Sequence, residues 1–187
     1  MHPIKYLWAL RAIIYKPFFK YIGNMSYIGR PCFVEGCRNI SIGEKTRIFP
    51  GIRMEAIGDG ELIIGSNCAI EQNVHLISNG QKLYIGRDTT ISANVFISNV
   101  DHEYNDVSKS VMEQPLVNKT TQVGERCFIG YGASLLPGTK LGNNCIVGSN
   151  AVVKGEFPDN CVIVGAPAKI VKVYRKEKNI WERIDDN

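Results

Sequence analysis

Aliphatic residues recur at every sixth position along the stretch from residue 123 to residue 154. The series is Val123, Ile129, Leu135, Leu141, Val147 and Val153, and a glycine directly follows four of its members. An α-helix would spread a six-residue period around its whole circumference, and an ordinary strand would alternate every two residues. A fixed hexad of aliphatic, glycine and small residues is instead typical of a parallel β-helix, in which each hexad forms one short face of a coil.

Shorter blocks of the same hexad begin after residue 28. Their inward positions are Ile42, Ile48 and Met54, then Ile64, Ile70 and Leu76, then Ile85, Ile91 and Ile97. The register shifts between blocks at 55–63 and 77–84, where we expect insertions at a corner of the coil. Three hexads complete one triangular coil, so the pattern predicts roughly six or seven coils, with ~4.8 Å between neighbouring strands.

The hexads divide the chain into three segments. Residues 23–166 form the predicted β-helix, which is interrupted by the polar loop 98–122. A loop of this length, with no structure of its own in a compact domain, is usually functional. Residues 167–187 follow as a tail that we expect to form a short cationic strand and then a short C-terminal helix.

Residues 1–22 are apolar and basic at once, and they predict a short helix that ends or kinks at Pro17. The residues that can share one side of it are Leu7, Trp8, Leu10 and Ile14. Two interpretations are open. The helix either caps the open end of the coil, as repeat arrays require, or lies in a membrane interface with Trp8, Phe18 and Phe19 among the lipid headgroups. No uncharged run is long enough to span a bilayer, and a signal peptide is not expected.

Composition and charge exclude some classes of function. The 187 residues are 44% hydrophobic and 21% charged, which fits a single domain with a sizeable core. The formal net charge is only +4, and the repeats carry no stripe of basic residues interleaved with stacking aromatics. We therefore expect no nucleic-acid partner.

The six cysteines are predicted to be buried structural thiols. Cys68, Cys127 and Cys145 each follow an aliphatic-glycine pair by three positions, and Thr46 and Thr89 occupy the same place in other hexads. This place favours a small side chain inside the coil, and a free cysteine packs as a small hydrophobe. No CxxC pair is present, so neither a disulfide framework nor a metal site is expected. Free thiols fit a reducing cytoplasm.

One histidine is a candidate for catalysis. His102 lies in the long loop beside Asp101, Glu103 and Tyr104. A neutral imidazole accepts a proton near pH 7, so His102 is a candidate general base, although a solvated loop histidine is the alternative. His2 is terminal, and a zinc site would need more nitrogen or sulfur ligands than this loop supplies.

The hexads, the loop sequence DHEY and the segments VGERCFIGYGASLLPGTKLGNNCIVGSNAVV and CVIVGAPAKIVK together resemble the left-handed β-helix (hexapeptide-repeat) acyltransferases. The resemblance covers about residues 16–172 and is closest to the sugar O-acetyltransferases related to maltose and galactoside acetyltransferase. KPFFKYIGNMSYIGRP and the DHEY loop look most similar to the members encoded with cell-surface polysaccharide genes, such as the colanic-acid and O-antigen acetyltransferases. The fold implied is an all-β, left-handed parallel β-helix with an N-terminal helical cap, one extruded loop and a short C-terminal helix.

The resemblance also implies the chemistry. It implies a homotrimer that uses acetyl-CoA as the acyl donor and needs no metal. His102 matches the family's general base, and Asp101 or Glu103 would orient its imidazole. Asn73 matches an asparagine that contacts the acceptor sugar, and we expect Tyr104 beside it.

The expected coenzyme A residues come from the same resemblance. They are Phe128, Gly130, Tyr131, Ser149, Lys154, Lys169 and Lys172. The three lysines would bind the phosphates, and a backbone N–H near Gly130 to Gly132 would bind the thioester oxygen. Tyr131 departs from the family, because relatives carry a small residue there.

These observations predict a cytoplasmic O-acetyltransferase that acts on a sugar hydroxyl of a surface-polysaccharide precursor. The acceptor would be a sugar, a nucleotide-sugar or a lipid-linked glycan, and residues 1–22 could place the enzyme on the inner membrane. Two alternatives are open: N-acetylation of an amino sugar, and a non-catalytic β-helix scaffold or binding module.

Overall fold

The computed structural model describes residues 3–184, which form a three-sided parallel β-helix with one N-terminal α-helix. The chain passes in turn through three sheets, which we call faces A, B and C. The six strands of face C mark six complete coils, which agrees with the predicted number. His2 lies outside the described residues.

The strands of the three faces are two to eight residues long. The strands of face A are Tyr21–Ile22, Ile40–Ile42, Glu61–Ile64, Lys82–Ile85, Thr121–Val123, Lys140–Leu141 and Glu156–Phe157. The strands of face B are Tyr27–Ile28, Arg47–Ile48, Ala69–Ile70, Thr90–Ile91, Phe128–Ile129, Ile146–Val147, Cys161–Gly165, Ala168–Arg175 and Ile180–Arg183. The strands of face C are Phe33–Glu35, Arg53–Ile57, His75–Asn79, Phe96–Ser98, Ser134–Leu135 and Val152–Val153.

The hexad positions form the core, as predicted. On face B the inward residues stack in register from coil to coil and are fully buried: Ile28, Ile48, Ile70, Ile91, Ile129, Val147 and Ile163. Burial of each such side chain contributes ~1.5–3 kcal/mol before entropy costs. Ile91 pairs directly with Ile129 although a long loop separates them in the sequence. The loop therefore leaves the coil without disturbing its register.

A column of hydroxyl and thiol groups runs inside the corner between faces A and B. The Thr89 hydroxyl donates to the Gly124 carbonyl at 3.1 Å and accepts the Cys127 backbone N–H at 3.1 Å. The Cys68 thiol donates to the Gly86 carbonyl at 3.2 Å in the same way. These contacts confirm the buried position and explain it, since each small polar side chain bonds one coil to the next.

The Cys68 thiol of this column is held in its unreactive form. All six cysteines are free, and four of them are buried, whereas Cys32 is exposed and Cys37 is partly exposed, so the prediction of burial is wrong for these two. Burial raises the pKa of the Cys68 thiol to about 11, so it stays protonated at neutral pH.

The N-terminal helix, α1 (Ile4–Tyr15), lies against the first coils. Trp8 packs on the rings of Tyr27 and Phe49, with centroid distances of 5.9 and 5.5 Å, and Ala12 joins the buried core. Leu10, on the other side of the helix, is exposed.

The expectation that Trp8 shares a side with Leu7, Leu10 and Ile14 is wrong. At ~100° per residue, Leu10 and Ile14 lie ~160° and ~120° from Trp8 around the helix. The indole lies on the side of the helix that packs against the coil, and the aliphatic residues face outward. In residues 3–184 no helix is long and apolar enough to cross a membrane.

The extruded loop has more structure than the sequence predicts. Its strands Val100–His102 and Leu116–Asn118 pair as an antiparallel hairpin, and a 3₁₀ helix spans Val111–Glu113. Gln114 is buried at the centre, where its side chain accepts the Asp106 N–H at 3.0 Å and donates to the Asp106 carbonyl at 3.1 Å. These contacts give the loop a defined shape.

The short C-terminal helix is the fold prediction that the structure contradicts. The described part of the tail forms a hairpin, in which Ala168–Arg175 pairs antiparallel with both Cys161–Gly165 and Ile180–Arg183. The cationic strand is present as predicted, but the residues after it form a further strand on its second edge and not a helix. Backbone pairing and the edge-on contact of Tyr174 with Trp181 outcompete a helix too short to be stable by itself.

Candidate active site

The extruded loop folds back on the coil that follows it and encloses a cavity of about 200 Å³. Its polar walls come from Asp101, His102, Glu103, Tyr104, Lys119 and Lys154. Lys154 lies at the corner where the chain passes from face C to face A, and the other five belong to the loop. The hairpin pairing therefore brings the loop histidine against the body of the coil.

His102 is half-buried at the end of the first hairpin strand, opposite Leu116. Its ring Nδ1 is buried and has no hydrogen-bond partner within residues 3–184. Burial of Nδ1 leaves Nε2 as the ring nitrogen that a molecule in the cavity can reach. The geometry thus offers a single imidazole nitrogen for proton transfer.

The two carboxylates beside His102 bind the loop rather than the imidazole. One oxygen of Asp101 accepts the His102 backbone N–H at 2.9 Å, and Glu103 accepts the side-chain amide of Asn105. Asp101 therefore fixes the backbone that carries the ring, and its predicted contact with the ring itself stays a prediction. Tyr104 is 70% exposed at the cavity mouth.

Lys119 was not identified from the sequence. It lies seventeen positions after His102, and only the antiparallel pairing of Val100–His102 with Leu116–Asn118 brings the two to one cavity. The two adjacent apolar residues of the second strand, Leu116 and Val117, were the only available signal, and it is weak over three residues. Lys119 and Lys154 thus bring two cations to a cavity that Asp101 and Glu103 also line, so its wall carries both signs of charge.

The predicted acceptor and pantetheine residues Asn73, Tyr131 and Ser149 lie at a different corner, between faces B and C. Asn73 has a φ of +57°, which asparagine tolerates better than most residues, so the turn alone would favour it. The Asn94 amide donates to the Tyr131 hydroxyl at 2.6 Å, which holds the tyrosine along this corner.

Phe128 and Gly130 are on face B and at its end. Phe128 points outward, is 46% exposed, and stands in register with Ile146 of the next coil. The N–H groups of Gly130 and Gly132 donate to the carbonyls of Val147 and Ala93 at 2.8 and 3.1 Å. Coil-to-coil bonds therefore use both of these amides, and the thioester-binding N–H near Gly130 to Gly132 stays a prediction.

Lys169 and Lys172 are exposed on the cationic strand that extends face B. They pair with Val164 and Val162 across the hairpin. Lys154 is not with them, because it lines the His102 cavity at another corner. Within residues 3–184, no three His, Cys, Asp or Glu side chains come together to hold a metal ion.

The candidate residues thus occupy two corners on either side of face C. His102 is at the corner between faces C and A, whereas Asn73 and Tyr131 are at the corner between faces B and C. In one chain the strands of face C separate the two corners.

Comparison with known proteins identifies the class. A family model for the bacterial transferase hexapeptide (six repeats) matches residues 120–155. A protein of Escherichia coli (strain K12), provisionally described as the lipopolysaccharide biosynthesis O-acetyl transferase WbbJ, is 35% identical over 167 residues, which cover 86% of this chain and 85% of the relative. A dTDP-4-amino-4,6-dideoxy-D-glucose acyltransferase of Escherichia coli is 31% identical over 164 residues, covering 85% and 84%.

A solved structure shows the same fold. A variant of AntD, an N-acyltransferase from Bacillus cereus in complex with dTDP-4-amino-4,6-dideoxyglucose and coenzyme A, aligns with a TM-score of 0.75 over 90% of each chain at 18% identity. The fold and these relatives define a β-helix acyltransferase. The chain belongs to the hexapeptide-repeat acyltransferase family, and the scaffold alternative is set aside.

Proposed function

We propose that this protein transfers an acetyl group from acetyl-CoA to a sugar hydroxyl of a surface-polysaccharide precursor, with His102 as the general base. The observation that carries the proposal is the position of His102, which lines a polar cavity while its Nδ1 is buried, so that Nε2 is the nitrogen we assign to the substrate. The WbbJ relative supports the acceptor class, because its name refers to O-acetyl transfer in lipopolysaccharide biosynthesis.

The reaction proceeds by direct transfer. Nε2 of His102 takes the proton of the acceptor hydroxyl while that oxygen attacks the thioester carbonyl carbon. The tetrahedral intermediate then collapses, the C–S bond breaks, and the leaving thiolate receives the proton from the imidazolium. Asp101 holds the His102 backbone in place. The donor to the developing oxyanion is a group other than the engaged amides of Gly130 and Gly132.

The complete site requires two copies of the chain. The loop corner with His102 and the corner with Asn73, Tyr131 and Ser149 lie on either side of face C in one chain. In the closed ring of three copies that we propose, the loop corner of each copy would lie beside the other corner of its neighbour. We therefore propose the homotrimer, with each active site shared between two copies.

The cations suggest where the anionic parts of the substrates bind. Lys169 and Lys172 lie on the exposed strand beyond face B, where they would meet the coenzyme A phosphates as mobile point charges. Lys119 and Lys154 line the His102 cavity. Asp101 and Glu103 line the same cavity and offset these two charges, so the acceptor classes that we propose are a sugar, a nucleotide-sugar and a lipid-linked glycan.

N-acylation of an amino sugar is the second candidate. The 31% identical relative is named as an acyltransferase of dTDP-4-amino-4,6-dideoxy-D-glucose, and it spans the same length of chain. Acylation of an amine would use the same general base, His102, and the same cavity. The acceptor assay therefore includes both hydroxyl and amino sugars.

We place the enzyme in the cytoplasm, where acetyl-CoA is available and where its six free thiols remain reduced. Residues 1–22 are its proposed contact with the inner membrane.

The test measures thiol release from acetyl-CoA with a panel of sugars, amino sugars and nucleotide-sugars. We expect turnover with at least one hydroxyl acceptor and a ~10²–10⁴-fold lower kcat for His102→Ala, which is the usual contribution of a general base. Lys109→Ala, which removes a charge from the same loop outside the cavity, should stay within about twofold of wild type. Full activity in His102→Ala would refute the base, and turnover with amino sugars alone would favour N-acylation.

A further inference from the structure

The outward side of α1 is an apolar surface that the chain itself does not cover. Leu7 is 61% exposed, Leu10 53%, Ile13 62% and Ile14 55%. The solvent-facing side of a surface helix is ordinarily polar, so four exposed aliphatic side chains on a helix of twelve residues form an unusual apolar surface. The opposite side of the same helix is packed, with Trp8 and Ala12 buried. The helix is therefore a cap on one side and an open apolar face on the other.

The apolar surface continues past the end of the helix. Leu7, Leu10 and Ile14 line one shallow groove, and Ile14 and Phe18 line the next. Phe18 is 57% exposed, whereas Phe19 is buried in the core. The strip thus runs from Leu7 to Phe18 without a break.

Positive charge borders this strip. Residues 1–34 contain five cations, which are Lys5, Arg11, Lys16, Lys20 and Arg30, and no acidic residue. Arg11 donates to the Ile28 carbonyl at 2.9 Å, and Lys5 lies over the ring of Tyr27 at 5.6 Å. Lys5 and Arg11 therefore lie between the packed side and the apolar side of the helix, where lipid headgroups would meet them.

We propose that the strip from Leu7 to Phe18 docks the protein on an anionic lipid bilayer. The helix lies flat in the interface, its aliphatic residues enter the acyl boundary, and its flanking cations contact phosphate headgroups. Trp8 and Phe19 take no part, because the protein core holds both.

Charge complementarity favours the bilayer over a second copy of the chain. Of the five cations only Lys20 has an ion pair within residues 3–184, with Glu61, so two copies joined through this strip would bring the remaining positive charges together, which is unfavourable. An anionic surface meets the same cations favourably. The proposal concerns binding alone and is independent of the reaction at His102.

The test is co-sedimentation of the full chain with vesicles of phosphatidylcholine alone or with 30% phosphatidylglycerol added. We expect binding to the anionic vesicles, weaker binding in high salt, and at least a tenfold weaker affinity for the double variant Leu10→Ser, Ile14→Ser. Ile180→Ser is the matched control, because Ile180 is 49% exposed on the C-terminal hairpin and should bind as wild type does.

Oligomeric state is measured on the same samples by light scattering. Unchanged vesicle binding in the double variant, or equal loss in Ile180→Ser, would overturn the proposal. A double variant that changes oligomeric state would assign the strip to a second copy instead. Absence of binding by the wild type to either vesicle would also refute it, whatever the enzyme's activity.

Discussion

The hydroxyl and thiol column inside the coil can be tested at Thr89. Its side chain is fully buried, donates to the Gly124 carbonyl and accepts the Cys127 N–H, both at 3.1 Å. Valine has the same shape, so Thr89→Val opens no cavity but leaves two buried backbone groups unpaired. Each unpaired group costs ~1–3 kcal/mol, so we expect ~2–6 kcal/mol of lost stability. For a chain of this size that is a fall in Tm of about 4–24 °C.

Thr90→Val is the matched control. Thr90 is the next residue, on the half-buried outer side of face B, and the same substitution there removes no coil-to-coil contact. The assay is urea unfolding at fixed protein concentration, since oligomer formation shifts apparent stability. If Thr89→Val is as stable as Thr90→Val within ~0.5 kcal/mol, the column does not bond the coils as described.

Two further predictions concern the loop and the thiols. Gln114→Ala should lower kcat by up to ~100-fold with little change in Tm, because Gln114 holds the loop that carries His102 and small misplacements are costly in catalysis. Gln122→Ala, at an exposed position, is the control. Equal kcat in both variants would contradict this role of Gln114. Thiol titration of the native protein at pH 8 should show one fast cysteine, the exposed Cys32, with the four buried thiols reacting only after denaturation. Rapid reaction of those four would contradict their burial.

The regular part of the fold could be predicted from the sequence because a hexad determines its own structure. Once Ile91 and Ile129 each point inward, stacking and strand pairing follow for every coil. The buried thiols were predictable for the same reason, since Cys127 and Thr89 hold equivalent places in their hexads.

The irregular parts were not predictable from local pattern. The C-terminal hairpin forms because the edge of Cys161–Gly165 is open to pairing, which is a property of the assembled coil. Lys119 reaches His102 only through a hairpin between short strands of the loop. The split of the candidate site between two corners likewise depends on which hexad falls on which face.

The central claim is that each active site combines the His102 loop of one copy with the corner between faces B and C of another. The direct measurement mixes two inactive variants, His102→Ala and Ser149→Trp, carrying different tags, and assays purified mixed trimers. Pairing of the two halves between neighbours predicts about a third of wild-type activity, because each mixed ring has one site of three with both halves intact. Mixed trimers that regain no activity, or a Ser149→Trp trimer that is fully active alone, would contradict the shared site.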